Sequence, residues 1–258
     1  MFRTASKKSE NKVCESSSKT GRKQYERTKK LVVLSLLSAI SYLSVYLVDF
    51  RVQFLSFDIK DAFITVSAMI FGPVSGVVMS LVVSFIEMIF ISSTGWYGFL
   101  MNFISSAVFA GIAALIYKYR RTKAGSYIAL VSSVFATTAV MMVANLIVTP
   151  FYSGMTASEV AGLIPTFLFP FNLIKSVVNA ALTFILYKPV STVLKRAGII
   201  SRTNDNMTRA ATNSQESAVK SPANVKYTVL TSIGAIIIII ASMLIFVFVM
   251  HGDLSFFK

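Results

Sequence analysis

One cysteine, Cys14, and one histidine, His251, stand among 258 residues. A lone thiol excludes an internal disulfide and a multi-thiolate metal site. A lone imidazole far from it leaves no material for a zinc centre or for Cys/His catalysis. Charge is scarce as well: 14% of the chain is charged against 55% hydrophobic, and mean hydropathy is +0.69. Soluble domains carry about 25% charged residues, so this composition describes an integral membrane protein. Acidic side chains are the scarcer kind, 11 against 25 basic. An excess of this size suggests nucleic acid until the basic positions are located. They cluster in residues 1–30, in 118–123 and in 188–226, always flanking apolar runs. That is the pattern of cytoplasmic loops under the positive-inside rule, and it argues against nucleic acid. The chain also lacks G-x-x-x-x-G-K-[ST], H-E-x-x-H and G-x-S-x-G, so it has no phosphate-binding loop and none of these hydrolytic signatures.

What is present is a series of apolar runs. Residues 1–30 are polar and basic with no apolar core of a signal peptide, and they read as a mobile cytoplasmic tail. A first membrane helix fits 31–49, where Ser35 and Ala39 form a small-xxx-small pair that would let a partner helix approach. Residues 50–60 alternate charge and aromatic and read as an outer loop, with Arg51 and Lys60 outside the membrane. A short apolar run over 61–71 ends at Gly72-Pro73. Longer helices fit 74–91, 99–117 and 126–149, the last stopping at Pro150. The turn at 92–98 carries Trp96 and Tyr97, as an interfacial belt does, and 151–163 reads as an outer loop. The sixth helix is 165–189. Residues 198–225 are rich in Ser, Thr and Asn and read as a flexible linker. A further apolar helix spans 226–251, with a short outer tail at 252–258. Alternation from a cytoplasmic N-terminus puts the basic clusters inside and the C-terminus outside.

The sixth run is the informative one. It holds Asn172, Lys175 and Asn179 within an otherwise apolar stretch. A charge at the centre of a membrane helix costs about 2.5–3.5 kcal/mol on insertion scales. The spacing i, i+3, i+7 puts two amides and one ammonium on one stripe, the wall of a polar pocket. Thr138 and Asn145 share a face of the fifth helix in the same way. Snorkelling of Lys175 and interhelical bonding by the asparagines are the competing explanation. Glu87, near the outer end of the third helix, shows no basic partner and reads as interfacial. Asp61 could cap the short second helix.

Three stretches resemble the S components, the substrate-binding membrane subunits, of energy-coupling factor (ECF) vitamin transporters, and within them the riboflavin-specific branch. They are FLSFDIKDAF with FGPVSG, STGWYGFLMNFISS, and NLIVTPFYSGM followed by PFNLIK and NAALTFILYKP. The resemblance spans about two thirds of the chain and leaves out the N-terminal tail, the linker and the last helix. It implies an all-α fold, a six-transmembrane-helix bundle over 31–197 plus one additional C-terminal helix. It also implies a vitamin bound near the outer face, a transmembrane coupling subunit, and two cytoplasmic ATPases that supply the energy this chain cannot. Ligand contacts map onto Asn145, Asn172 and Lys175, and Leu55, Phe57 and Asp58 resemble the loop that closes over the pocket. Many vitamin S components carry a Lys-Asn pair in helix three, whereas Val83 and Ser84 stand here.

The expected function is therefore riboflavin uptake at the cell membrane, with no cofactor and no catalysis. Asparagine matches a pyrimidine edge with paired donor and acceptor, and Lys175 adds a charge-assisted donor. Candidate contacts also include Asn102, Thr149 and Asn179, with Trp96 as a ring wall beside Phe57, Phe63, Phe167 and Phe171. Ser35 and Ala39 are candidate docking residues for the coupling subunit. An S component for folate, pantothenate or a similar vitamin, and a non-transporting sensor or scaffold, are the alternatives.

Overall fold

A computed structural model describes residues 2–47, 50–52, 55–92 and 94–197. The elements in order are α1 (Phe2–Leu47), a hairpin of β1 (Phe50–Val52) and β2 (Leu55–Phe57), α2 (Lys60–Phe71), α3 (Pro73–Phe90) and α4 (Trp96–Tyr119). They are followed by α5 (Lys123–Ser153), α6 (Ala157–Leu163), a π-helical turn (Ile164–Leu168) and α7 (Phe169–Arg196). Five helical segments among the described residues are long and apolar enough to cross a membrane: Gln24–Tyr46, Pro73–Phe90, Trp96–Tyr119, Ala124–Ser153 and Ala157–Arg196. The expected linker, extra helix and outer tail lie outside the described residues.

The six expected spans thus become five full-length ones and the 12-residue α2. At 1.5 Å per residue α2 extends about 18 Å, short of the roughly 30 Å hydrocarbon thickness. It is instead buried among its neighbours from Lys60 through Ala62 and from Ile64 to Met69. The apolar core gathers around it: Val33 and Leu37 of α1, Ile64 and Ala68 of α2, Met79 and Val83 of α3, Ala110 and Ala114 of α4 and Leu194 of α7. Gly76 sets the spacing of α2 and α3, since a Cβ there would lie 2.5 Å from the Cβ of Ala68. Large apolar side chains such as Leu36, Val78, Phe85 and Phe135 point outward, where lipid rather than protein is their solvent.

Several elements differ from the sequence reading. Residues 2–30 are helical and continuous with the first span. They contain no proline and a single glycine, Gly21, so a helix nucleated in the membrane propagates without a second nucleation cost. The loop at 50–60 is a hairpin with Phe50 opposite Phe57, Arg51 opposite Ser56 and Val52 opposite Leu55. Lys60, expected outside, is the first residue of α2 and is 1% exposed. Pro150 does not end α5, which runs one turn further to Gly154 at φ 73°; proline removes one hydrogen bond there without forcing the chain out of the helix. The expected outer loop contains α6, opened by a capping box between Thr156 and Glu159. Trp96 and Tyr97 form the first turn of α4 instead of preceding it.

Candidate functional site

The segment Asp58–Ala62, which leaves the hairpin and starts α2, is where the buried polar groups of four helices meet. Lys175 of α7 donates from Nζ to Asp58 Oδ2 at 3.0 Å. Lys60 Nζ lies 3.6 Å from the same oxygen and donates to Glu87 Oε2 on α3. Asn102 of α4 donates from Nδ2 to Glu87 Oε2 at 3.3 Å, and Ser106 Oγ donates to Asp61 Oδ1. Asp58, Lys60, Asp61, Glu87, Lys175 and Asn179 are all buried. Burial pushes the Asp58 carboxyl up, but Lys175 and Lys60 outweigh it and hold the group below the usual carboxylate range.

Asn179 supports this segment through its backbone. Its Nδ2 donates to Asp58 O at 3.1 Å and to Lys175 O at 3.2 Å, and its Oδ1 accepts from Ala62 N at 3.1 Å. Ile59, at the start of α2, supplies no side-chain cap; Ala62 N has a 3.3 Å bond to Ile59 O, and a residue of α7 adds a second, shorter acceptor for it. Ser41 of α1 adds a bond from Oγ to Lys60 O at 3.1 Å. One atom remains unserved: Asp58 Oδ1 is buried without a hydrogen-bond partner. Such an orphan costs about 1–3 kcal/mol unless something completes it.

The expected site residues do not all come together. Asp58, Lys175 and Asn179 are brought together directly, and Asn102 joins them through Glu87. Asn145 and Asn172 are also buried, but each bonds a carbonyl four residues back along its own stretch of chain. Asn145 Nδ2 donates to Met141 O at 2.7 Å, Thr149 Oγ1 donates to Asn145 Oδ1 at 3.1 Å, and Asn172 Nδ2 donates to Leu168 O at 2.8 Å. Phe167 and Phe171 are buried with ring centroids 6.2 Å apart. Trp96 is 69% exposed and edge-on to Phe99. Leu55 and Phe57 lie in β2, with Phe57 immediately before Asp58. Ser35 and Ala39 are exposed on α1, while Val33 and Leu37 of the same helix are buried.

Glu87 is not an interfacial carboxylate without a partner, and Lys60 is not an outer-loop cation: the two form a buried ion pair. The signal for Glu87 was its own presence in a membrane helix, which by itself marks a functional candidate. Lys60 gave no such signal, because an apparent loop residue between two aspartates reads as solvated.

Residues 29–187 match the sequence profile of the family described as ECF transporter, substrate-specific component. The chain belongs to this family. Its relatives include "Riboflavin transporter RibU" of Staphylococcus aureus (strain TCH60), 28% identical over 181 residues, with 66% of this chain and 95% of the relative covered. Another is "Riboflavin transporter FmnP" of Bacillus subtilis (strain 168), 27% identical over 184 residues, covering 63% and 94%. A solved S component of a bacterial ECF transporter superposes with a TM-score of 0.56 at 29% identity, covering 66% of this chain and 99% of that one. This S component is accordingly a multi-pass membrane protein that binds substrate and works with ECF module partners. Transport, rather than catalysis, is what its family does.

Proposed function

We propose that this S component captures riboflavin from the outer side and presents it to its ECF partners. Two relatives matched over nearly their whole length carry riboflavin in their names. The observation that carries the reading at residue level is the buried α7 stripe of Asn172, Lys175 and Asn179, from which Lys175 donates to an Asp58 whose Oδ1 lacks a donor. A ribityl hydroxyl supplies such a donor, and the amides of Asn145 and Asn172 suit the alternating acceptors and N–H of the pyrimidine edge once they exchange their intrahelical bonds. Phe167 and Phe171 offer apolar ring faces, worth about 0.5–1.5 kcal/mol beyond buried area when a ligand ring stacks on one.

In this reading the hairpin before Asp58 covers the ligand, the N-terminus is cytoplasmic, and a transmembrane coupling subunit with two ATPases drives release. Riboflavin enters as cargo. Purified protein titrated with riboflavin should quench flavin fluorescence, and the N172A/K175A double variant should weaken binding by at least about a hundredfold, two bonds of about 1.4 kcal/mol each. Unchanged capture by that variant rejects the reading.

A further inference from the structure

We infer that Asp61 is a proton-binding site, so that the buried charge cluster at the start of α2 is electrically neutral as a whole. The proton belongs to the ligand-free protein, whatever vitamin it carries. Among the described residues the cluster holds three buried carboxyl groups, Asp58, Asp61 and Glu87, and two buried ammoniums, Lys60 and Lys175. Both ammoniums are paired with other carboxylates. Lys175 Nζ lies 3.0 Å from Asp58 Oδ2, and Lys60 Nζ lies 3.6 Å from that oxygen while it pairs with Glu87 Oε2. Neither comes within ion-pairing distance of Asp61. Among the described residues the Asp61 carboxyl is bonded by Ser106 Oγ alone. A hydroxyl accepts as readily as it donates, so the same contact serves a carboxylic acid as well as a carboxylate.

The helices packed around Asp61 bring no further counter-charge. At this level α1 contributes Ser41, α3 Glu87, α4 Asn102 and Ser106, and α7 Lys175 and Asn179. Lys30 of α1 lies at the opposite end of α2, where it donates to Phe71 O at 3.2 Å. Without Asp61 the remaining charges sum to zero, two ammoniums against Asp58 and Glu87, so an ionised Asp61 would be a buried net charge. A carboxylate taken out of water without a counter-ion is so costly that the group takes up a proton instead. Asp61 stands in the first turn of α2, where the helix dipole favours a negative charge. That attraction is small beside the desolvation of an unpaired ion. Of the three carboxyl groups Asp61 is the one without a cation, and it therefore keeps the proton.

The full chain, purified in detergent and freed of bound vitamin, is measured by infrared spectroscopy in heavy-water buffer at neutral pH. A protonated carboxyl group absorbs there apart from carboxylates and from the amide band. Wild-type protein is expected to show this absorption, and Asp61→Asn, which keeps the shape of a neutral acid, to lose it. Wild-type protein without the absorption overturns the inference, because every carboxyl group of the cluster is then ionised. An absorption that survives in Asp61→Asn places the proton on another acid and overturns it equally. Should Asp61→Asn fail to fold, wild-type protein made with aspartate that carries a heavy carbon isotope in its side-chain carboxyl group decides the matter. The absorption is expected to shift with that label; one that stays in place belongs to a glutamate and overturns the inference.

Discussion

Asn179 shows how one side chain on the α7 stripe serves the fold while its neighbours serve the ligand. Two of its bonds reach the segment that starts α2, to Asp58 O and from Ala62 N. Replacing it with alanine takes the donor from Asp58 O and leaves Ala62 N only its 3.3 Å bond to Ile59 O, a cost of about 1–3 kcal/mol. Asn179→Ala is therefore expected to lower the melting temperature of the purified protein clearly, with any loss of ligand affinity following from the displaced Asp58. A variant that melts like the parent would show that the α2 cap is not supplied from α7. Asn172 and Lys175, two turns and one turn earlier, were legible from the sequence because helical spacing alone puts them on one line with Asn179. That Asn179 caps another helix was not legible, since its partners lie 117 and 121 residues away in the chain.

Among the elements, α2 is the one on which the rest close. Too short to span the membrane, it lies between α1, α3, α4 and α7, and its small residues let those helices approach. Gly76 of α3 faces Ala68 of α2 and Ala110 of α4, and a methyl group added there meets the Ala68 Cβ at 2.5 Å. Neither neighbour has a flexible end that could swing away. Gly76→Ala should cost about 1–3 kcal/mol by overpacking, seen as a lower melting temperature, whereas Gly162→Ala in α6, with nothing within 4 Å of the added Cβ, should not destabilise. The reverse order would place the tight contact elsewhere. Gly72, at φ 104°, turns the chain between α2 and α3, and the Gly-Pro pair announced that break in the sequence. The hairpin gave no such notice. Strands of three residues are shorter than any window in which alternation is distinctive.

For the whole molecule, the outward side of α1 is the expected meeting place with the ECF partners. Ser35 and Ala39 are exposed there, while Val33 and Leu37 of the same helix are buried in the core. Replacing both with leucine should leave flavin titration unchanged and abolish uptake in cells; full uptake would move the docking face to another helix. The sequence by itself determined that the chain is a membrane protein, where most of its helices run, and that α7 carries a polar stripe. Hydropathy, helical period and glycine–proline breaks are local, so they survive without a fold. Only the tertiary structure decided that Lys60 is buried, that it pairs with Glu87, and that Asp58 sits between two ammoniums with one oxygen unserved. A charge far from its partner in sequence is indistinguishable from a solvated one until packing removes water and leaves it a single neighbour.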